Sequence, residues 1–305
     1  MQRINVCVCT CLRGEMLKVC LRSVAAISVP DGAEVTLSVI DNDAARTAES
    51  LIESMKKDFP FPVHYFCETR RGIPYARNRA IEETLILGSD YLVFLDDDEW
   101  VETDWLQQLY DLCQQHGGNV VVSGSVWAEL PEGISEDIAG LYNRKDPGKA
   151  GSRKDACATN NVLVPMACIH ETGLRFDETN PLAGGTDTIF FKQASSRGVL
   201  ILRCPQAVAH ELVPKSRATL QWWARRKYRA GITHAWRKRM RGKAAAAILI
   251  SALFQIMVEL VKAALFFVSG KKLKRNQSLL KVCRCAGVIS GIMGIEVESY
   301  RVIDG

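Results

Sequence analysis

The chain has 305 residues, 48% hydrophobic and 24% charged, with a net charge of +5; this supplies ample material for a buried core and excludes three ordinary domains. The total hides a split, because residues 1–210 carry 20 Lys/Arg against 29 Asp/Glu and residues 211–305 carry 19 against 5. An acidic first part followed by a basic tail predicts a tail that meets something anionic, either nucleic acid or the inner face of a membrane.

Ile4–Thr10 reads as the first strand. It follows Arg3 so closely that a signal peptide has no place there, and with an odd eleven cysteines this predicts a reducing compartment. Cys7, Cys9 and Cys11 alternate onto one strand face; neither they nor Cys283 and Cys285 have the spacing of a zinc site, so buried small apolar residues are expected. Leu17, Leu21 and Val24 give helical spacing within Leu12–Ile27. Val35–Ile40 is a second strand ending at Asp41-Asn42-Asp43, and Ala44–Lys57 a second helix. Val63–Phe66 is a third strand, Tyr75–Leu87 a third helix entered through Gly72-Ile73-Pro74, and Tyr91–Leu95 a fourth strand. Strand and helix alternating in this way predict an α/β, Rossmann-like fold with a mainly parallel central sheet and flanking helices. A helix over Asp104–His116 and strands at Val120–Trp127, Asn160–Pro165 and Leu200–Cys204 follow.

In such sheets ligands bind at the carboxyl ends of the strands, where Thr10 to Arg13, Asp41 to Asp43 and Asp96 to Asp98 all fall. Three aspartates closing an apolar strand repel one another, and a cation removes that penalty. Asp96 and Asp98 can project to one side as hard oxygen ligands for Mg²⁺ or Mn²⁺, which also binds diphosphate oxygens. Asp41 is a candidate acceptor for a base or ribose, and Arg13, Arg71 and Arg77 are candidate phosphate or base contacts.

The four ordered segments Cys9 to Arg13, Val39 to Asp43, Gly72 to Asn78 and Phe94 to Asp98 resemble the family 2 glycosyltransferases over roughly residues 3–230. The resemblance implies a GT-A fold and a nucleotide-sugar site drawn from Thr10, Arg13, Asp41, Arg71, Arg77, Asp96 and Asp97. It implies a cation at Asp96 and Asp98, with His210 as a further metal-side residue, and Asp187 as the base of an inverting transfer. Cys9 and Cys11 replace the family's usual Pro and Tyr, and Thr186 stands where an acid commonly precedes the base. Asn160 to Val164 resembles the segment that closes over the donor, and Phe176-Asp177-Glu178 with Gly184 to Asp187 the stretch ending in the base. Domains are expected at 1–212, a catalytic domain with a nucleotide-binding half to about 100 and an acceptor half from 101, and at 213–305, a basic helical extension.

From Leu212 to Val258 there is no acidic residue, and eleven Lys/Arg lie between Lys215 and Lys243. The apolar stretch Ala244–Val268 that follows is long enough to span a bilayer and argues for a membrane over nucleic acid. Ser251, Gln255, Glu259 and Lys262 recur at 4, 4 and 3; this polar stripe favours a helix lying in the interface or packed on protein over a simple span. Lys238 to Lys243 and Lys271 to Arg275 are placed to meet anionic lipid on the cytoplasmic side of a bacterial inner membrane. His210 to Pro214, Arg217 to Leu220, Arg225 to Gly231 and Cys285 to Gly294 are similar to a narrower group, the bacterial exopolysaccharide glycosyltransferases that include succinoglycan-biosynthesis β-glucosyltransferases. That resemblance implies a UDP-sugar donor, glucose above others, a lipid-diphosphate-linked oligosaccharide acceptor and a β-linkage. The Q-x-x-R-W pattern of processive synthases is absent, so one sugar is expected per acceptor. Two other readings compete: a non-catalytic membrane scaffold with a GT-A-like fold, and an aspartyl-phosphate phosphatase, whose Asp-x-Asp stands on the first strand rather than the fourth.

Overall fold

The structure, a computed structural model, describes residues 1–142, 148–179, 181, 185–240 and 242–295. The expected Gly184 and the end of the tail fall outside these. By internal packing the described chain divides into two units, one drawn from 1–127 and 148–211, the other from 128–142 and 212–295.

The first unit is built on four parallel strands: β1 (Gln2–Thr10), β2 (Ala33–Asp41), β3 (Val63–Cys67) and β4 (Tyr91–Asp96), in the spatial order β3-β2-β1-β4. Apolar groups cover both faces, which is why these strands read as nearly continuous hydrophobic runs. Ile4, Val6 and Val8 enter one core with Val93 and Leu95; Cys7 enters the other with Leu92 and Phe94. Helix α1 (Gly14–Ala25) buries Leu17, Cys20, Leu21 and Val24, a single stripe at helical spacing. Helix α2 (Glu49–Met55) buries Ile52 and Met55. On the other side α3 (Ile73–Ile86) buries Ala76, Ala80 and Ile81. All eleven cysteines are unpaired.

Beyond Asp96 antiparallel strands join the parallel ones and the sheet becomes mixed. β5 (Glu99–Val101) follows at once, then α4 (Trp105–Gln115), β6 (Val121–Glu129) and β7 (Asn161–Pro165), with β7 antiparallel to both β4 and β6. β5 is too short to show a period in sequence. It pairs antiparallel with β8 (Ile201–Leu212), which sets Trp100 opposite His210. The full order is β3-β2-β1-β4-β7-β6-β8-β5. Helices α6 (Met166–Thr172) and α7 (Thr186–Ser196) complete the unit, α7 burying Phe190, Phe191 and Ala194.

The second unit holds α5 (Glu136–Tyr142), α8 (Leu220–Met240), α9 (Ala245–Val268) and α10 (Lys272–Ile292). Helix α10 packs against the other three. Its backbone meets that of α8 directly: a β-carbon at Gly287 would lie 2.0 Å from the carbonyl oxygen of Tyr228, so only glycine fits. Buried Asn276 donates to Asp137 of α5 at 2.6 Å, and Ala235, Ile248, Ala252, Cys285 and Val288 form a small separate core.

Candidate active site

The parallel register places Thr10 beside Asp41 and Cys9 beside Asp96, so three strand ends open on one edge. At the β2 end Asp41 is fully buried. Its Oδ2 accepts from the Ala48 N–H and from the Tyr65 hydroxyl, both at 2.9 Å, while Oδ1 has no partner. Burial holds the carboxyl above its ordinary pKa, against those two donors and the nearby Asp43 N–H. A buried carboxylate oxygen left open is a vacancy for a ligand's N–H or O–H. Neighbouring Asn42 fastens the entry to α3, its amide donating to the carbonyls of Glu68 and Arg70 and accepting from the Gly72 N–H at 3.0, 2.7 and 2.8 Å. Gly72 has φ +149, and a β-carbon there would meet Pro181 at 2.6 Å. Arg71 is exposed, and burial pushes the nearby Cys11 thiol up against the pull of its guanidinium.

At the β4 end the three aspartates separate by environment. Asp97 is buried and fastened: Thr10 donates to it at 2.8 Å and Arg13 at 3.0 Å, with Arg13 also 3.3 Å from Asp98. Thr10 and Arg13, expected to face the nucleotide, are thus spent partly on holding the acidic turn. Burial pushes Asp97 up to about 6. Asp96 keeps 44% of its side chain exposed, with Arg77 at 4.0 Å. Burial of the surrounding site, then the carboxylates of Asp98, Asp97 and Asp187, push Asp96 up to about 7 against the pull of Arg77. Arg77 also donates to Thr186 at 3.3 Å and lies over the Phe176 ring. The residue that stands in place of the usual acid is therefore tied to Arg77.

Asp187 sits in the first turn of α7, whose N-cap is Gly185, and its Oδ1 accepts the Thr188 N–H at 2.6 Å. It acts on the Asp96 carboxyl through space, so the base candidate lies within electrostatic reach of the cation candidates.

Three contributors were not singled out from sequence. Tyr65 props Asp41, and its polar tip on a short strand was a usable signal. Asn42 clamps the α3 entry. Glu99, 2% exposed, accepts from Asn160 at 2.8 Å and leaves Oε2 without a partner. Its burial, then Asp96 and Asp98, raise it well above the carboxylate range.

Among the described residues no group of three or more His, Cys, Asp or Glu is arranged to hold a metal. His210, expected on the metal side, does not join Asp96 and Asp98: the β5–β8 register stacks it on Trp100 at 5.3 Å, and it contacts Glu102 at 3.1 Å. The two aspartates still fit a cation, since Arg77 and Arg13 offset their mutual repulsion only in part, and Mg²⁺-like ions are commonly held by one or two carboxylates together with substrate phosphates and water.

The chain belongs to glycosyl transferase family 2, whose model matches residues 5–161. Succinoglycan biosynthesis protein ExoM of Rhizobium meliloti (strain 1021) is 34% identical over 301 residues, 97% of this chain and 95% of that protein. Solved structures share the fold. A mannosyltransferase from Pyrobaculum calidifontis, in complex with GDP-Man and Mn²⁺, gives a TM-score of 0.63 at 17% identity, covering 96% of this chain and 88% of its own. Staphylococcus aureus TarS residues 1–349, in complex with UDP, gives 0.57 at 14% identity, covering 92% and 90%.

Proposed function

We propose that this transferase moves a single glucosyl residue from a UDP-sugar to a lipid-diphosphate-linked oligosaccharide in bacterial exopolysaccharide synthesis, at the cytoplasmic face of the inner membrane. The observation that carries the donor half is Asp41: its buried, unpartnered Oδ1 stands at the same sheet edge as the strand end at Asp96, whose carboxyl feels the charges of Asp98 and Asp187. An imide N–H such as that of uracil fills that vacancy. The likeness to a succinoglycan biosynthesis protein supports the exopolysaccharide reading, and the basic second unit supports a membrane-borne, anionic acceptor.

In this reading Asp187 takes the proton from an acceptor hydroxyl as that oxygen bonds to the anomeric carbon, and the bond from that carbon to the diphosphate breaks on the opposite face. An α-linked donor so gives a β-linked product and UDP. Mg²⁺ or Mn²⁺ held by Asp96 and Asp98 supplies neutralisation of the diphosphate charge. Arg77, Arg71 and Arg13 add fixed positive charge at the same edge. Asp97 keeps the acidic turn in place. The test is transfer from a panel of UDP-sugars to membrane-extracted lipid-linked acceptors, with wild type and Asp98→Ala. Transfer confined to UDP-glucose and abolished in the variant is expected; equal rates in both proteins would sink Asp98 as a cation ligand, and no transfer by either would support the scaffold reading.

A further inference from the structure

Helix α9 is long and apolar enough to cross a membrane, yet it is held along one face only. Ile248, Ala252, Glu259 and Ala263 are its buried residues. Lys281 of α10 lies 3.2 Å from Glu259, and Lys274 lies over the ring of Phe266. These two pairs, 259 with 281 and 266 with 274, set α9 and α10 side by side and antiparallel. Away from α10, Ile250, Leu253, Phe254, Met257, Val261 and Leu265 are each more than half exposed.

Charge identifies what covers that face. Between Leu212 and Ile295 the sequence has 18 Lys/Arg and one acid, Glu259. That acid is 3% exposed and is neutralised by Lys262 and Lys281. The α8–α10 surface around the apolar face is therefore strongly cationic, the other described acids of the unit lying on the α5 segment at Glu129, Glu132, Glu136 and Asp137, and such a surface suits an anionic lipid bilayer. A second copy would set two such basic surfaces against each other.

The α10 pairing also decides the helix's attitude. At 24 residues α9 extends about 36 Å, against about 30 Å of hydrocarbon. Upright, it would carry the Glu259–Lys281 pair and the exposed Arg284 to mid-bilayer, where charge is least tolerated. Lying flat, it sinks only its outward face and leaves α10 on the aqueous side. We propose that α9 is an in-plane, monotopic anchor, with its apolar face among the acyl chains of one leaflet. Lys243 at one end and Lys271, Lys272 and Arg275 at the other lie at headgroup level, so both ends stay on the same side. The proposal rests on the membrane-surface reading above and specifies its geometry.

The test uses the full chain in two experiments. In flotation with phosphatidylcholine vesicles, with and without phosphatidylglycerol, binding is expected only with the anionic lipid. Leu253→Asp with Val261→Asp should weaken it about tenfold or more. Lys271→Glu and Lys272→Glu, at exposed sites that leave folding intact, should weaken it about fivefold each. In bacterial cells, a fluorescent protein fused after Gly305 should glow and alkaline phosphatase fused there should be inactive. Active phosphatase would show a spanning helix and overturn the flat geometry while leaving membrane association standing. Failure to float with either vesicle would remove the membrane reading itself. A lipid-free dimer that the Asp double variant turns into monomer would assign the face to a second copy.

Discussion

Replacing Asp41 by Asn separates the ligand role of this carboxylate from its structural one. In the folded chain one oxygen already serves the Ala48 N–H and the Tyr65 hydroxyl, and an amide oxygen can keep both bonds. The other oxygen is buried and unpartnered, and the substitution puts an NH₂ group there. A donor then faces the donor N–H of an incoming uracil. A hydrogen bond to a charged group contributes about 1.5–3 kcal/mol, so UDP binding should weaken by about 10- to 150-fold. Stability should move the other way. Burial raises the folded-state pKa of Asp41, so ionisation opposes folding at neutral pH, and that penalty disappears as pH falls from above the folded value to below 3.8, the ordinary value. The Asp41→Asn protein should therefore melt at or above the wild-type temperature near pH 7, with its advantage shrinking toward pH 4. Calorimetric titration with UDP, paired with thermal melts across pH, checks both halves. An unchanged UDP affinity would refute the assignment of Oδ1 to the base, and a lower neutral melting temperature would refute the desolvation argument.

Asp187→Asn keeps an acceptor for the Thr188 N–H but removes the base; the transfer rate should drop about 10²- to 10⁴-fold while calorimetry finds UDP affinity unaltered. Because Asp96 is pushed up to about 7, a proton competes with the cation below that pH: Mn²⁺ affinity, followed by electron paramagnetic resonance, should level off above it and fall by up to about tenfold per unit below it. A pH-independent affinity would exclude Asp96 as a ligand. In the second unit, Gly287→Ala forces α8 and α10 apart at Tyr228 and should cost about 1–3 kcal/mol in urea unfolding.

The sequence disclosed most where the chemistry is local. The strand ends at Thr10, Asp41 and Asp96 stand at neighbouring positions of the sheet, because two-sided burial forces long apolar runs that stop abruptly at polar clusters. Asp97, expected among the nucleotide-sugar contacts, is held by Thr10 and Arg13, partners that no spacing within the acidic turn reveals. His210 was misplaced because its surroundings depend on pairing with Trp100, more than a hundred residues away, through the short β5. Tyr65 and Glu99 were missed for a related reason: the partners that give them meaning, Asp41 at the end of β2 and Asn160 just before β7, are distant in sequence. The polar stripe in the apolar helix was read correctly in one residue, Glu259, which turns onto α10; Ser251, Gln255 and Lys262 stay exposed.

The buried Oδ1 of Asp41 and Oε2 of Glu99 are among the carboxylate oxygens that find no hydrogen-bond partner within the described chain. A ligand that satisfies either one binds the folded state alone, so donor supply sets how much of the enzyme is folded at any moment. Cells short of the donor would carry more of the protein in forms open to proteases, and the enzyme's abundance would follow its substrate without any change in transcription.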